Sequence, residues 1–110
     1  MTFEIINTRS HEIFFLDRKV NRVGRSHPCD INIHDDKSVS RIHAVFKNDG
    51  YRVMVWDHDS QNGVFVNGQR LESTRALTSG DKIQLGKTEF LFMEQAEEER
   101  SMQSVLREKW

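Results

Sequence analysis

Cysteine is nearly absent from the sequence, and hydrophobic stretches of membrane-spanning length are missing. The 110 residues contain one cysteine, Cys29, so no internal disulfide can form, and a single thiol is a poor basis for a structural zinc site. No apolar run approaches the roughly 20 residues of a membrane helix, and the first residues lack the basic-then-apolar order of a secretion signal. These absences argue against a disulfide-stapled or membrane protein and predict an intracellular chain.

An excess of either charge sign is also missing. The 16 Lys and Arg residues are balanced by 17 Asp and Glu residues, which gives a formal net charge of -1 at pH 7. Nucleic-acid-binding proteins usually carry a broad basic excess, so direct binding to DNA or RNA is not expected here. A balanced total can still conceal a focused positive pocket. With 36% hydrophobic and 30% charged residues, the chain is typical of one globular domain.

Signatures of metal binding and acyl-transfer catalysis are missing as well. The five histidines are scattered and show no HxxxH or HExxH spacing, which argues against a metal site. Ser40 and His43 could be read as a nucleophile and its base. However, no G-x-S-x-G motif is present, and a strand would send residues three apart to opposite faces. We therefore expect no enzyme activity, no metal and no cofactor.

Alternation of apolar and polar residues recurs in short stretches along most of the chain. Asn48-Asp49-Gly50 and Asn67-Gly68 lie between such stretches and are typical of hairpin turns. Many short strands favour a sandwich or a barrel, of which we choose the sandwich, and the scarcity of helical pattern before residue 95 excludes a doubly wound fold. The pattern predicts an all-β domain with strands at 3–6, 12–16, 19–23, 31–33, 42–47, 51–56, 64–66, 82–85 and 89–94.

The composition changes after Met93. Residues 95–110 contain no Gly, no Pro and no β-branched run, and Met102, Val105 and Leu106 follow helical spacing. The sequence therefore predicts a domain at 1–94 followed by a charged tail at 95–110 that forms a short helix. Because an isolated helix of about 15 residues is marginal in water, we expect this tail to pack on the sandwich or on a second copy.

Three polar clusters fall at predicted strand ends or in loops. They are Gly24-Arg25, Ser40-Arg41-Ile42-His43 and Ser60-Gln61-Asn62-Gly63. Two arginines, hydroxyls and amides supply many hydrogen-bond donors and almost no general base, which describes an anion-binding surface better than a catalytic site. A phosphate group on a peptide is the anion that this chemistry favours.

Together with Val66-Asn67-Gly68, these clusters resemble the signature of the forkhead-associated (FHA) domain, in order and in spacing. The resemblance extends from about Phe3 to Glu94. It implies an eleven-stranded β-sandwich whose loops at one end bind phosphothreonine peptides.

The resemblance also implies roles for individual residues. Arg25 resembles the arginine that grips the phosphate, and Ser40 resembles the hydroxyl that donates to a phosphate oxygen. Arg41 is expected to add a contact to the phosphopeptide, and Asn62 to hydrogen-bond the peptide main chain. Gln61 departs from the pattern, because many members have a threonine or serine there that also reaches the phosphate, but its amide can still donate and we expect it to contact the phosphopeptide.

Other residues are expected to support the site or to have no binding role. Gly24, His43 and Gly63 resemble residues that shape the site from behind, and His43 is best interpreted as a structural histidine. Asp35 and Asp36 are most simply a solvated loop tip.

The sequence therefore predicts a non-catalytic, phosphothreonine-dependent interaction module of a signalling protein. The alternative is a phosphate-independent scaffold or homodimerisation domain. A DNA-damage scaffold in the nucleus is the setting that we favour, without a nucleic-acid or membrane partner. We also expect phosphothreonine to be preferred over phosphoserine, with Val39 or Val64 as an apolar wall for the γ-methyl group.

Overall fold

Two β-sheets packed face to face make up the part of the chain that the structure describes. The structure is a computed structural model, and it describes residues 1–96. The six-stranded sheet has the order β2-β1-β11-β10-β7-β8, and the five-stranded sheet has the order β4-β3-β5-β6-β9. The strands are β1 Thr2–Asn7, β2 Ile13–Phe15, β3 Val20–Gly24, β4 Ile31–Asn32, β5 Ala44–Asn48, β6 Val53–Asp57, β7 Val64–Val66, β8 Gln69–Arg70, β9 Arg75–Ala76, β10 Lys82–Leu85 and β11 Thr88–Gln95.

The eleven-stranded sandwich implied by the resemblance is confirmed. Every strand predicted from alternation is present, with boundaries shifted by up to two residues. The pattern missed β8 and β9, because Gln69–Arg70 and Arg75–Ala76 are short and lie in polar stretches without apolar alternation. The predicted strand 42–47 begins at Ala44, since residues 40–43 form a turn instead.

The core lies between the sheets and is built from the inward-facing residue of each alternating pair. Phe46 on the five-stranded sheet and Phe90 and Phe92 on the six-stranded sheet are fully buried. Each buried side chain of this size stabilises the fold by about 1.5–3 kcal/mol relative to an exposed one. The core therefore holds the two sheets, and the loops at their ends, in a fixed relation.

Both predicted hairpins are confirmed. β5 pairs with β6 and β7 pairs with β8, in each case antiparallel. Asn67 and Gly68 have φ values of 52° and 82°, the left-handed region that a tight two-residue hairpin turn requires.

The predicted helix at 95–110 is wrong at its first residue, because Gln95 ends β11 and pairs with Thr2 of β1. The rest of the predicted helix from residue 97 onward lies outside the described residues. Within residues 1–96, no helix with the length and hydrophobicity to cross a membrane occurs.

Candidate functional site

The three polar clusters come together at one end of the sandwich. β3 ends, β5 begins and β6 ends at paired positions, marked by Val23, Ala44 and Asp57. The β10–β11 turn joins them, because β10 ends beside the start of β7. We call this the loop end; it comprises residues 25–30, 33–43, 58–63 and 86–87. The opposite, hairpin end carries the turns at 49–52 and 67–68.

Arg25 follows β3 directly and is tied to the neighbouring loop by its main chain and its side chain. Its N–H donates to the carbonyl oxygen of Ser40 at 3.0 Å, and its Nε donates to the carbonyl oxygen of Val39 at 2.9 Å. These bonds orient the guanidinium and leave its two terminal nitrogens for a ligand. Arg25, Ser26 and Arg41 line a cavity of about 250 Å³, so two arginines border one opening.

Ser40 is half-buried beside this cavity. Its Oγ accepts the main-chain N–H of Gln61 at 3.0 Å. The hydroxyl proton of Ser40 has no acceptor recorded among residues 1–96, so it is available to donate to an incoming oxygen. The side chain of Gln61 is exposed, and this residue contributes to the loop through its main chain.

Asn62 is exposed next to Gln61. Its Nδ2 donates to the carbonyl oxygen of Ser38 at 2.8 Å, which holds the side-chain amide across the gap between two loops. An asparagine amide has two N–H donors and an oxygen acceptor. One donor and the acceptor therefore remain for a ligand, enough to pair with a peptide main chain.

His43 is fully buried and joins two of the loops. Its Nδ1 accepts the N–H of Ser40 at 2.9 Å, and its Nε2 lies 2.7 Å from the carbonyl oxygen of Gly63. Because Nδ1 is an acceptor, the imidazole is neutral and Nε2 donates. Both nitrogens are occupied, so His43 cannot act as a base.

The interpretation of Ser40 and His43 as a nucleophile and its base therefore fails on hydrogen bonding. The strand that was expected to send the two residues to opposite faces does not include them, since β5 begins at Ala44. Residues 40–43 form a turn that brings Ser40 and His43 together, and the contact involves the main chain of Ser40 and not its hydroxyl.

Two positions in or next to the loop end require glycine. A Cβ atom on Gly24 would lie 2.2 Å from the carbonyl oxygen of Arg41. Gly63 has a φ of 82°, and a Cβ there would lie 2.9 Å from Nε of Arg70. Any side chain at Gly24 would push the segment that carries Arg41 away from β3.

Asp36 is a residue of the loop end that the sequence analysis missed. Expected in a solvated loop tip, it is half-buried, and its carboxylate accepts hydrogen bonds from the N–H and hydroxyl of Ser38, the N–H of Lys87 and the hydroxyl of Thr88. Partial burial by itself would raise its pKa, but these bonds outweigh burial and lower the pKa to about 2. The Asp-x-Ser spacing signals the local part of this network; nothing local signals the bonds to Lys87 and Thr88.

Cys29 also contacts the main chain of the segment that carries Arg41. Its Sγ lies 3.1 Å from the carbonyl oxygen of Arg41, within hydrogen-bond distance for a thiol donor. Burial raises the pKa of this thiol, so the neutral, donating form is favoured. The thiol is one more contact that holds the main chain of Arg41.

Comparisons with known proteins agree with this architecture. A family model described as "FHA domain" matches residues 21–86. The oxoglutarate dehydrogenase inhibitor of Corynebacterium jeikeium is 39% identical over 85 residues, which is 77% of this chain and 58% of the inhibitor. The chain spans about half the length of the curated relatives that it matches.

Solved structures are similar over most of the chain. One, from a study of phosphothreonine-dependent FHA domain interactions, has a TM-score of 0.83 and 26% identity, covering 87% of this chain and 99% of that one. Mycobacterium tuberculosis EmbR, solved in complex with a low-affinity phosphopeptide, has a TM-score of 0.79 and 34% identity, covering 84% of this chain and 24% of EmbR.

Proposed function

Because the chain belongs to the FHA family, whose domains are phosphothreonine-binding interaction modules, we propose that its loop end captures a phosphothreonine segment of a partner protein. The observation that carries the proposal is the guanidinium of Arg25. Its Nε donates to the carbonyl oxygen of Val39, its terminal nitrogens have no partner among residues 1–96, and the residue lines a cavity together with Arg41. A phosphate at pH 7 carries a charge of about −1.5 to −2 and several acceptor oxygens, which match paired guanidinium groups.

The remaining donors are arranged to hold a peptide around that phosphate. The free hydroxyl proton of Ser40 lies on one side, and the free amide groups of Asn62 lie on the adjacent loop. His43 is not suited to removing a proton, since both of its nitrogens are engaged. The similar proteins are named as an inhibitor and a regulator, which supports binding without catalytic chemistry.

We further propose that the parent protein is a regulator. The similar protein of C. jeikeium is named as an inhibitor of oxoglutarate dehydrogenase, and EmbR of Mycobacterium bovis as a transcriptional regulatory protein. These names favour regulation of another protein through the FHA domain. A nuclear DNA-damage scaffold remains a prediction that these relatives do not support.

Calorimetric titration tests the binding function. A library of phosphothreonine peptides and the same library with unmodified threonine are titrated into the full chain. We expect measurable affinity for members of the phosphorylated library and none for the unmodified one. Equal affinities for the two libraries would support the phosphate-independent scaffold and contradict the proposal.

Self-association is tested separately. Sedimentation of the full chain is compared with that of residues 1–96, which retain all eleven strands. A full chain that sediments as a dimer, with residues 1–96 sedimenting as a monomer, would support self-association through the tail. Monomers in both cases would contradict it.

A further inference from the structure

Three consecutive carbonyl groups hold Arg25 and Asn62, the two residues on which the proposed site depends most. The carbonyl oxygen of Ser38 accepts from Nδ2 of Asn62, at 2.8 Å. The carbonyl oxygen of Val39 accepts from Nε of Arg25, and that of Ser40 accepts from the main-chain N–H of Arg25, at 2.9 and 3.0 Å. The position of segment 38–40 therefore decides where both Arg25 and Asn62 point.

Asp36 fixes that segment to a different part of the chain. One carboxylate oxygen accepts the N–H and the hydroxyl of Ser38, at the start of the segment. The other oxygen accepts the N–H of Lys87 at 2.9 Å and the hydroxyl of Thr88 at 2.7 Å. Lys87 lies in the β10–β11 turn and Thr88 begins β11, which is anchored in the six-stranded sheet by its pairing with β1 and β10.

We propose that Asp36 is a positioning residue of the phosphopeptide site: by holding segment 38–40 against the β10–β11 turn, it keeps Arg25 and Asn62 in their binding orientation. The inference rests on the proposed function where peptide affinity is measured. The orientation of the Arg25 and Asn62 side chains can be measured without any ligand. A ligand that meets donors already oriented does not have to order them, so affinity is higher when the segment is held in place.

Replacement of Asp36 by asparagine removes the contact with little change of shape. Asparagine keeps one acceptor oxygen and converts the other into an NH₂ donor. That donor would face the N–H of Lys87 or the N–H of Ser38, so one side of the bridge is lost. The direct bond from the N–H of Lys87 to Oγ of Ser38, at 3.0 Å, would remain, so segment 38–40 would be held less firmly against the β10–β11 turn.

The matched control is Asp49→Asn at the hairpin end. Asp49 also accepts two main-chain N–H groups in a turn, those of Tyr51 and Arg52, at 2.9 Å each. Asp49 follows the last residue of β5, whereas the site lies at the start of that strand. If Asp36 only stabilised the fold, Asp36→Asn and Asp49→Asn would lower the affinity by the same factor for the same decrease in Tm.

The experiment uses the full chain of the wild type, Asp36→Asn, Asp49→Asn and the milder Thr88→Val, which removes one donor to Asp36. Affinity for the best phosphothreonine peptide of the library is measured by calorimetry, together with Tm. In the absence of peptide, NMR records the resonances of the Asn62 side-chain amide and the Nε–H of Arg25.

We expect Asp36→Asn to weaken binding roughly tenfold and Thr88→Val by a smaller factor, while Asp49→Asn stays within about twofold of the wild type. The Asn62 and Arg25 resonances should shift in Asp36→Asn and stay in place in Asp49→Asn. Equal effects of the two aspartate variants, or unshifted Asn62 and Arg25 resonances in Asp36→Asn, would overturn the inference.

Two further outcomes are decided by the same measurements. If the wild type binds no phosphopeptide, the proposed function fails, and the resonances alone decide whether Asp36 positions Arg25 and Asn62. If Asp36→Asn does not fold, Thr88→Val takes its place. Unshifted resonances and unchanged affinity in Thr88→Val would then overturn the inference.

Discussion

The loop end and the hairpin end of the sandwich each contain a turn built around an aspartate, and the two turns differ in the reach of their hydrogen bonds. Asp49 accepts the N–H groups of Tyr51 and Arg52, two and three residues away. Asp36 accepts from Ser38, two residues away, and also from Lys87 and Thr88, which are 51 and 52 residues away.

This difference shows how one residue type serves two purposes. At the hairpin end, the turn satisfies its own hydrogen bonds and connects β5 to β6. At the loop end, turns that would be irregular on their own are tied to one another by Asp36, His43 and Asn62. Exposed donors are held in place at the loop end, whereas the hairpin end closes on itself. Binding should therefore respond to changes at one end and not at the other.

Exchanging one arginine at each end for alanine gives the largest expected contrast. Arg25→Ala removes a two-pronged contact to phosphate, in which each bond to a charged group contributes about 1.5–3 kcal/mol. We expect a loss of about 3 kcal/mol or more, over a hundredfold in affinity. Arg52→Ala, at the hairpin end, removes an exposed ion pair with Asp49 and should leave affinity unchanged. Calorimetry on both variants measures the contrast, and unchanged binding by Arg25→Ala would refute the site.

The second contrast lies between a buried and an exposed histidine of the loop end. His43→Ala leaves the N–H of Ser40 and the carbonyl of Gly63 without their partner and opens a cavity. We expect the free energy of unfolding to fall by about 2–4 kcal/mol. His58 is exposed, so His58→Ala should change it by less than about 0.5 kcal/mol. Urea denaturation of the two variants tests this, and equal stabilities would contradict the bracing role of His43.

A smaller contrast between the two aspartate turns is expected in how the free energy of unfolding depends on pH. Partial burial alone would raise the pKa of Asp36, but its hydrogen bonds lower it to about 2 from an unfolded-state value of 3.8. A depressed folded-state pKa contributes stability above the unfolded value, and that stability is lost as the pH falls from about 4 to about 2. After a discount for solvent, this contribution is about 1–2 kcal/mol.

Stability curves between pH 7 and pH 2 measure the acid contribution. Asp36→Asn should start from lower stability and lose less of it below pH 4 than the wild type does. Asp49 also has a lowered pKa, through the N–H groups of Tyr51 and Arg52, but it is exposed, whereas Asp36 is half-buried. Asp49→Asn should therefore follow the acid curve of the wild type more closely. An Asp36→Asn curve parallel to that of the wild type would contradict the bridge.

The smallest expected effect is the choice between phosphothreonine and phosphoserine. Both present the same charge to Arg25, and burial of the extra methyl group contributes about 0.8 kcal/mol, or roughly a fourfold preference. Val39 and Val64, expected as an apolar wall, are fully buried in the core, so neither is an open wall. Paired titrations with peptides that differ in this one residue measure the ratio. Equal affinities would show that the methyl group is not buried in the complex.

Much of the fold could be predicted because its signals are local. Alternation located all strands long enough to show it, and Asn67-Gly68 specified a turn through the φ values that these residues tolerate. The two-residue strands β8 and β9 carry no such signal. The start of β5 was misplaced because Ile42 continues the alternation, while the bond from Ser40 to His43 bends the chain there.

The types and order of the polar residues were determined by the sequence itself. Gly24-Arg25, the Ser40 cluster and the Asn62 cluster are visible in the chain, and they indicate an anion site because donors outnumber bases. Tertiary structure alone decided how those residues are held. The bonds from Arg25 to Val39, from Asn62 to Ser38 and from Asp36 to Lys87 join segments that are distant along the chain. Such bonds exist because the packed core brings the ends of strands from both sheets together, and no periodicity within one segment records which loops will meet.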